Sequence, residues 1–239
     1  MLDTRFLRML ALLLAFGLVV AACGGDDSSS GDNQDQSDAP EEETTTTTED
    51  TTTTTTEVAA DDRGDAIGDF GDEVNDQLGD VPTDTTTYGE YVSVSDDTGF
   101  LTVEVPAAWA DVDGSAGLFG PDVTASTDVQ AFFQTYDVSG IEFQATDIQT
   151  NQTPDEVLDA VSQGQAAQCT VGARQPYTDP LYTGVSQVFE DCGGGTNDFV
   201  WLAFEPADQS FHGVVGVQIT NEADIEALER ALDTFVVNS

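Results

Sequence analysis

Cysteine, one histidine and an abundance of carboxylates carry the chemistry this chain can offer. Past Cys23, only Cys169 and Cys192 remain. They flank a predicted hairpin whose turn is Thr178-Asp179-Pro180-Leu181. Facing residues in an antiparallel pair have a constant sum of numbers, so pairing 169 with 192 centres the hairpin between Pro180 and Leu181. That register also sets Val171 opposite Glu190 and Ala173 opposite Val188. The expectation is a Cys169–Cys192 disulfide, whose closed loop stabilises by ~3 kcal/mol in the chain-entropy model. Two buried thiols are the alternative. Paired metal ligands fit less well, because neither cysteine belongs to a Cys-x-x-Cys.

His212 is the only histidine. The chain therefore cannot supply a two-histidine zinc site, and any Ser-His-Asp arrangement must use His212. It stands between Phe211 and Gly213 in a strand-like pattern, and no Gly-x-Ser-x-Gly elbow occurs, so an ordinary sheet histidine is expected. The chain contains no lysine. That excludes a Walker lysine, a Schiff-base lysine and a Ser-x-x-Lys nucleophile. Carboxylate pairs for hydrolysis stay open, since their spacing in space is not legible here. The reading is of a non-enzyme with no catalytic residue, no metal and no cofactor.

With 46 acidic residues against 5 basic ones, the formal net charge is −41. Such a surface repels nucleic acid, whose binding depends on basic side chains neutralising phosphates. A strongly solvated surface is the plain explanation. Arg63-Gly64-Asp65 matches the integrin-binding tripeptide, but three residues coincide by chance easily.

The N-terminus has the parts of an export signal. Arg5 and Arg8 precede an apolar run from Met9 to Val20, followed by the small residues Ala21 and Ala22. This run is shorter than the roughly 20 residues that span a bilayer, so it reads as a removable signal peptide over residues 1–22. Val20-Ala21-Ala22-Cys23 resembles the lipobox of bacterial lipoproteins. That resemblance implies cleavage before Cys23, lipid on its thiol, and anchoring to the outer face of the cell membrane, with the membrane itself as a partner.

The expected stalk covers residues 23–60, acidic and then threonine-rich through Thr44–Thr48 and Thr51–Thr56. It lacks the apolar content to fold, and extended it could reach on the order of 100 Å. Its threonines are candidates for O-linked sugar. An acidic amphipathic segment follows over 61–82. Ile67, Phe70, Val74 and Leu78 recur at helical steps with aspartates opposite, although four glycines weaken the helix. No EF-hand loop fits there.

Residues 88–238 read as one α+β domain. Tyr91–Ser95 and Phe100–Val105 predict a hairpin, and Ile141–Thr146 a strand. A helix over Asp128–Tyr136, capped by Ser126 or Thr127, carries Val129, Phe132, Phe133 and Tyr136 on one face. Thr153-Pro154-Asp155-Glu156 is a capping box with proline at the first helical position. Strands follow near 169–176, 184–191, 198–205 and 211–219. Phe199–Phe204 is apolar without alternation, which predicts cover on both faces of the sheet. A final helix capped by Asn221 buries Ile225, Leu228, Leu232, Phe235 and Val236, with Glu226 and Arg230 paired outside. Short links demand antiparallel pairing, so the expected fold is an antiparallel β-sheet flanked by helices, an α/β/α sandwich.

This order of elements, with Val103-Glu104-Val105-Pro106-Ala107-Ala108-Trp109 as its strand-Pro-x-x-Trp opening, resembles the PsbP-like fold and the LpqN-type lipoproteins of actinobacteria. Trp109–Gly114 and Asp179–Gly184 are also similar to accessory domains appended to secreted trypsin-like proteases. The resemblance implies a non-enzymatic ligand-binding or accessory domain of the cell envelope. A protein-interaction module for a secreted protease or wall complex is the alternative, and an acidic-residue hydrolase a third reading. Trp109, Phe132, Phe133 and Trp201 are the candidate binding residues, although core positions are the commoner fate of such aromatics. A pocket between sheet and helix would suit a small apolar ligand; otherwise the partner is an envelope protein.

Overall fold

The computed structural model describes residues 60–78, 81, 86–117, 119–146 and 152–238. The signal peptide, Cys23 and the threonine-rich stalk lie outside them. No helix among the described residues is long and apolar enough to cross a membrane.

Ten strands form two antiparallel sheets. They are β1 (Tyr91–Ser95), β2 (Leu101–Pro106), β3 (Asp111–Asp113), β4 (Asp122–Ser126), β5 (Gly140–Thr146), β6 (Thr170–Thr178), β7 (Tyr182–Glu190), β8 (Asp198–Pro206), β9 (His212–Ile219) and β10 (Val236–Val237). The order is β1-β2-β10 in the small sheet and β3-β4-β5-β9-β8-β7-β6 in the large one. The helices are α1 (Ala60–Gln77), α2 (Val129–Gln134), α3 (Pro154–Val161), α4 (Gln163–Ala166) and α5 (Ala223–Thr234). This is the α+β sheet flanked by helices that the pattern predicts.

The unbroken apolar run of β8 divides between two cores. Val200, Leu202 and Phe204 enter the core under α1, α5 and β2. Phe199, Trp201 and Ala203 point the other way, into a core with Phe132 of α2 and Val157 and Leu158 of α3. Alternate residues of a strand face opposite sides, so cover on both faces leaves no polar position.

α1 belongs to the first core. Its Ile67, Phe70 and Val74, and Leu78 just beyond it, are buried in one core with Leu228 and Leu232 of α5, and Phe70 meets the Tyr177 ring edge-on. Arg63 fixes the N-terminal end. Its guanidinium donates to the carbonyls of Leu232 at 2.6 Å and Asp233 at 3.1 Å, where α5 ends. It pairs with Asp179 in the β6–β7 turn at 3.4 Å and lies over the Tyr182 and Phe235 rings. A cation at a helix C-terminus meets the negative end of the dipole. The Arg63-Gly64-Asp65 triplet is thus helical, with its arginine engaged inside the protein. Of the 61–82 segment, set apart from the domain in the sequence, the described Ile67, Phe70, Val74 and Leu78 share the domain's core.

Local expectations differ from the structure in a few places. Asp128, not Ser126 or Thr127, caps α2, accepting from the Ala131 N–H at 2.9 Å. Only Phe132 of that helix is buried, and Phe133 is 58% exposed. Val236 is exposed on β10, because the chain leaves α5 at Phe235 and pairs with β2 instead. Arg230 turns to Glu104 of β2, not to Glu226. The capping box at Thr153 is present, with Glu156 Oε2 accepting from the Thr153 N–H at 2.9 Å.

Candidate functional site

The register of the large sheet lines up the side chains that face α2 and α3. In one cross-strand row stand Thr124, Glu142, Gly216, Trp201 and Gln187. The row toward α2 holds Ser126, Gly140, Gln218, Phe199 and Phe189. On the opposite side come Asp122, Gln144, Val214, Ala203 and Val185. This face is therefore polar over β4 and β5, apolar over β7 and β8, and joined by β9.

Glycines let the large residues approach. A Cβ on Gly216 would sit 2.5 Å from the Trp201 ring, so the indole packs directly onto that strand. A Cβ on Gly140 would meet Phe132 at 2.8 Å, so the α2 phenylalanine seats directly on β5. Asp122 is covered from above, because Gly117 lies against its Oδ2.

Asp122, buried in β4, and Glu142, half-buried in β5, form an acid pair. Burial pushes the Asp122 carboxyl up to about 8, with the neighbouring Glu142 charge adding to the shift. Burial also raises Glu142, against hydrogen bonds from Gln144 and Asp122 that favour its ionised form. Two adjacent carboxyls out of water cannot both ionise readily. With its carboxyl pushed up to about 8, Asp122 keeps its proton near neutrality.

Polar atoms without a protein partner lie buried on the same face of the sheet. Trp201 Nε1, Gln144 Oε1 and both amide atoms of Gln218 are buried and make no hydrogen bond. Each such group forfeits about 1–3 kcal/mol of lost hydration. Native proteins leave few of them, and a cluster asks for an explanation. A cavity of about 90 Å³ opens beside α2 on this face, and Trp201, Gln144 and Gln218 do not line it. Phe132, Phe133, Gln134, Thr135 and Tyr136 form one wall, Gln165 and Gln168 another, and Glu142 and Phe199 line it from the sheet. No basic side chain lines it.

The predicted site residues separate cleanly. Of the four, only Phe132 and Phe133 line this cavity, with Trp201 packed against Phe199 behind them. Trp109 does not. It is fully buried on the other side of the molecule, donating from Nε1 to the Tyr88 hydroxyl at 3.1 Å. Tyr88 in turn donates to Asp224 at 2.7 Å, and burial together with that carboxylate pushes its hydroxyl up to about 12. Cys169 and Cys192 are bonded to each other. The register around them departs from the expected one. β6 and β7 follow it near the turn, where Arg174 faces Gln187. A bulge between Val171 and Arg174 then moves Val171 opposite Phe189, not Glu190, and takes Ala173 out of register with Val188. Asp191, left-handed at φ 53°, turns the chain so that Cys192 meets Cys169 at the end of the hairpin. His212 is buried in β9, its Nε2 3.0 Å from the Gln152 carbonyl and 3.1 Å from Glu205. No serine or cysteine nucleophile is bonded to it.

Asp122, Glu142, Gln144 and Gln218 were not singled out by the sequence. Glu142 and Gln144 alternate with Ile141, Phe143 and Ala145, which reads as one buried and one solvated face. The usable signal lay in the neighbours: strands apolar on both faces imply cover that extends over the polar positions beside them. No family model matches this chain, and no curated protein is similar to it.

Proposed function

We propose that this chain is an exported lipoprotein, anchored through Cys23, that displays a non-enzymatic ligand-binding domain outside the cell membrane. The cavity beside α2 is its binding site. The observation that carries this reading is the half-buried Glu142 carboxylate, which lines that cavity among Phe132, Tyr136 and Phe199 with no basic side chain beside it. The N-terminal Val20-Ala21-Ala22-Cys23 and its resemblance to a lipobox support the address, and the PsbP-like and LpqN-type order of elements supports an accessory or binding role. At about 90 Å³ the cavity is well below the roughly 300–1,000 Å³ of drug-sized pockets, so an acyl chain is not its ligand.

The acid pair is the feature nearest to a hydrolase. Asp122 is 5% exposed and capped by Gly117, so only Glu142 faces the cavity. A glycosidase needs two accessible carboxyls at least ~5 Å apart, and a hydrogen-bonded pair is closer than that. The interaction-module alternative draws less support, because the exposed large apolar residues Val92, Val112, Phe133, Val171, Leu181 and Val236 come from six separate stretches of chain.

Native mass spectrometry of the full chain, exported in its own host, tests both the address and the binding role. The expected species carries diacylglycerol on an N-terminal Cys23 and a stoichiometric small molecule that Glu142→Gln loses. An unlipidated N-terminus would overturn the anchoring. A bare protein mass in both forms would overturn the binding role.

A further inference from the structure

Resting on the reading of the α2 cavity as a binding site, we propose that the Cys169–Cys192 disulfide is a redox latch on it. Oxidised, the bond holds the α4 wall of the cavity in place; a dithiol that reduces it lets that wall open.

The wall has little else to hold it. No residue from Gln163 to Val171 is buried, and Gln165 and Cys169 are half-buried at most. The N-terminus of α4 has no side-chain cap. A stretch with few buried apolar contacts opens locally at small cost in free energy. The strand that follows adds weak support. Beyond the bulge before Arg174, β6 faces β7 through two pairs, Thr170 with Glu190 and Val171 with Phe189. Val171 is itself 49% exposed. Firm anchoring resumes on either side, at the fully buried Leu158 of α3 and at Arg174, which faces Gln187 in the sheet.

The disulfide ties this unburied stretch to a buried point. Cys192 is 2% exposed and shares a core with Phe132, Phe189, Phe199 and Trp201. Cys169 directly follows Gln168, which lines the cavity together with Gln165. The same junction reaches the α2 wall. Gln168 Nε2 donates to the Tyr136 hydroxyl at 3.4 Å, and Asn197 Nδ2 to the Tyr136 carbonyl at 2.7 Å. The Gly193 N–H donates to the Gln168 carbonyl at 3.1 Å. The covalent bond therefore sits where the α2 and α4 walls meet, among hydrogen bonds between partly exposed groups.

The two sulfurs are unequal, which sets the course of the exchange. Cys169 is partly exposed and Cys192 is buried. A thiolate of the dithiol attacks Cys169 Sγ and forms a mixed disulfide there. The Cys169–Cys192 bond breaks, and Cys192 Sγ leaves with the electron pair and takes up the proton that the attacking thiol released. The second thiol of the reductant then displaces Cys169. The protein gains two thiols, and the reductant becomes a disulfide. The new Cys192 S–H has an acceptor in place, the Phe189 carbonyl at 3.4 Å. Reduction thus frees the wall without stranding a polar group in the core.

Hydrogen–deuterium exchange of the full-length chain in nonionic detergent, with and without dithiothreitol, reads the latch. Reduction should speed exchange of the 163–171 amides about tenfold or more, while β8 and β9 stay within about twofold. The double variant Cys169→Ala with Cys192→Ala should exchange fast at 163–171 in both conditions, which separates the bond from other effects of the reductant. Unchanged exchange at 163–171 would overturn the latch. So would equal acceleration across β8 and β9, because the bond would then hold the whole fold and not the wall. Native mass spectrometry of the oxidised and reduced chain distinguishes latch from site. A small molecule kept on oxidation and shed on reduction supports both. One kept in both states overturns the latch and leaves the site. A loosened wall with nothing bound in either state leaves the latch and overturns the binding reading.

Discussion

On the α5 side of the sheet, the fully buried Asp224 carboxylate accepts from Tyr88, Ser139, the Thr220 side chain and the backbone N–H groups of Thr220 and Asn221. Trp109 completes that chain of donors through Tyr88. On the α2–α3 side, Trp201 keeps its N–H unpartnered and Gln218 both amide atoms. Two tryptophans and two buried carboxyl centres thus meet opposite ends in one molecule. The satisfied side locks α5 to the loop before it, as a structural network does. The unsatisfied side also carries the cavity beside α2, lined by Glu142. Polar burial alone does not mark a site; polar burial whose bonds are left unmade does.

The contrast would break if the α5 side were itself loosely assembled. Phe70→Ala tests that with the largest expected effect. Phe70 is 5% exposed between α5 and the Tyr177 ring, so its truncation should cost about 3–5 kcal/mol in urea unfolding. A loss under about 1 kcal/mol would make α1 an appendage and not part of the core.

The opposite side has a covalent staple. Cys192 packs with Phe132, Phe189 and Trp201, and its bond to Cys169 closes a separation of 23 residues. Replacing both cysteines with alanine should lower the unfolding free energy by ~3 kcal/mol. The same unfolding curves, compared with reduced wild type, check it. An unchanged midpoint would mean that α2 and α3 hold that side unaided.

These positions also show what the sequence made legible. The disulfide, the capping box at Thr153, the hairpins and the two-sided burial of Phe199–Phe204 all rest on local pattern or on strand geometry. β4 went unread although all five of its residues are buried, because Asp122-Val-Thr-Ala-Ser alternates like a solvated strand. The bulge at Gly172–Ala173 was equally silent. One extra residue changes the register without changing the hydrophobic pattern of either strand. Of the site, the aromatic wall at Phe132 and Phe133 was legible as residue types. The acid pair was not, since Asp122 and Glu142 are distant in sequence and meet only through β4–β5 pairing.

Asp122→Asn sharpens the comparison through pH. The folded Asp122 titrates at about 8, above its unfolded value, so its neutral form favours the fold. That contribution is complete below the unfolded value of ~3.9 and is lost as pH rises through the folded one. Wild-type stability should therefore fall between about pH 4 and pH 8 on account of this group. The asparagine variant should match wild type near pH 4 and exceed it increasingly toward pH 8, as read by thermal melts across that range. Parallel curves would mean that the pair is not desolvated.

The smallest effect belongs to the rim of the α5 side. Spacing along α5 favours a Glu226–Arg230 pair, yet Arg230 Nε reaches Glu104 Oε2 at 2.8 Å and its guanidinium lies over Tyr91. A strand-to-helix pair ties two elements together where an intrahelical one ties none, which is why packing of α5 on β2 prevails over spacing. Both side chains are partly exposed, so the coupling should be modest. A double-mutant cycle of Glu104→Gln and Arg230→Gln should give about 0.2–1 kcal/mol, fading in high salt, while Glu226→Gln and Arg230→Gln should be additive. Coupling confined to Glu226 would mean that α5 obeys its own periodicity and that the small sheet is not held to it by charge.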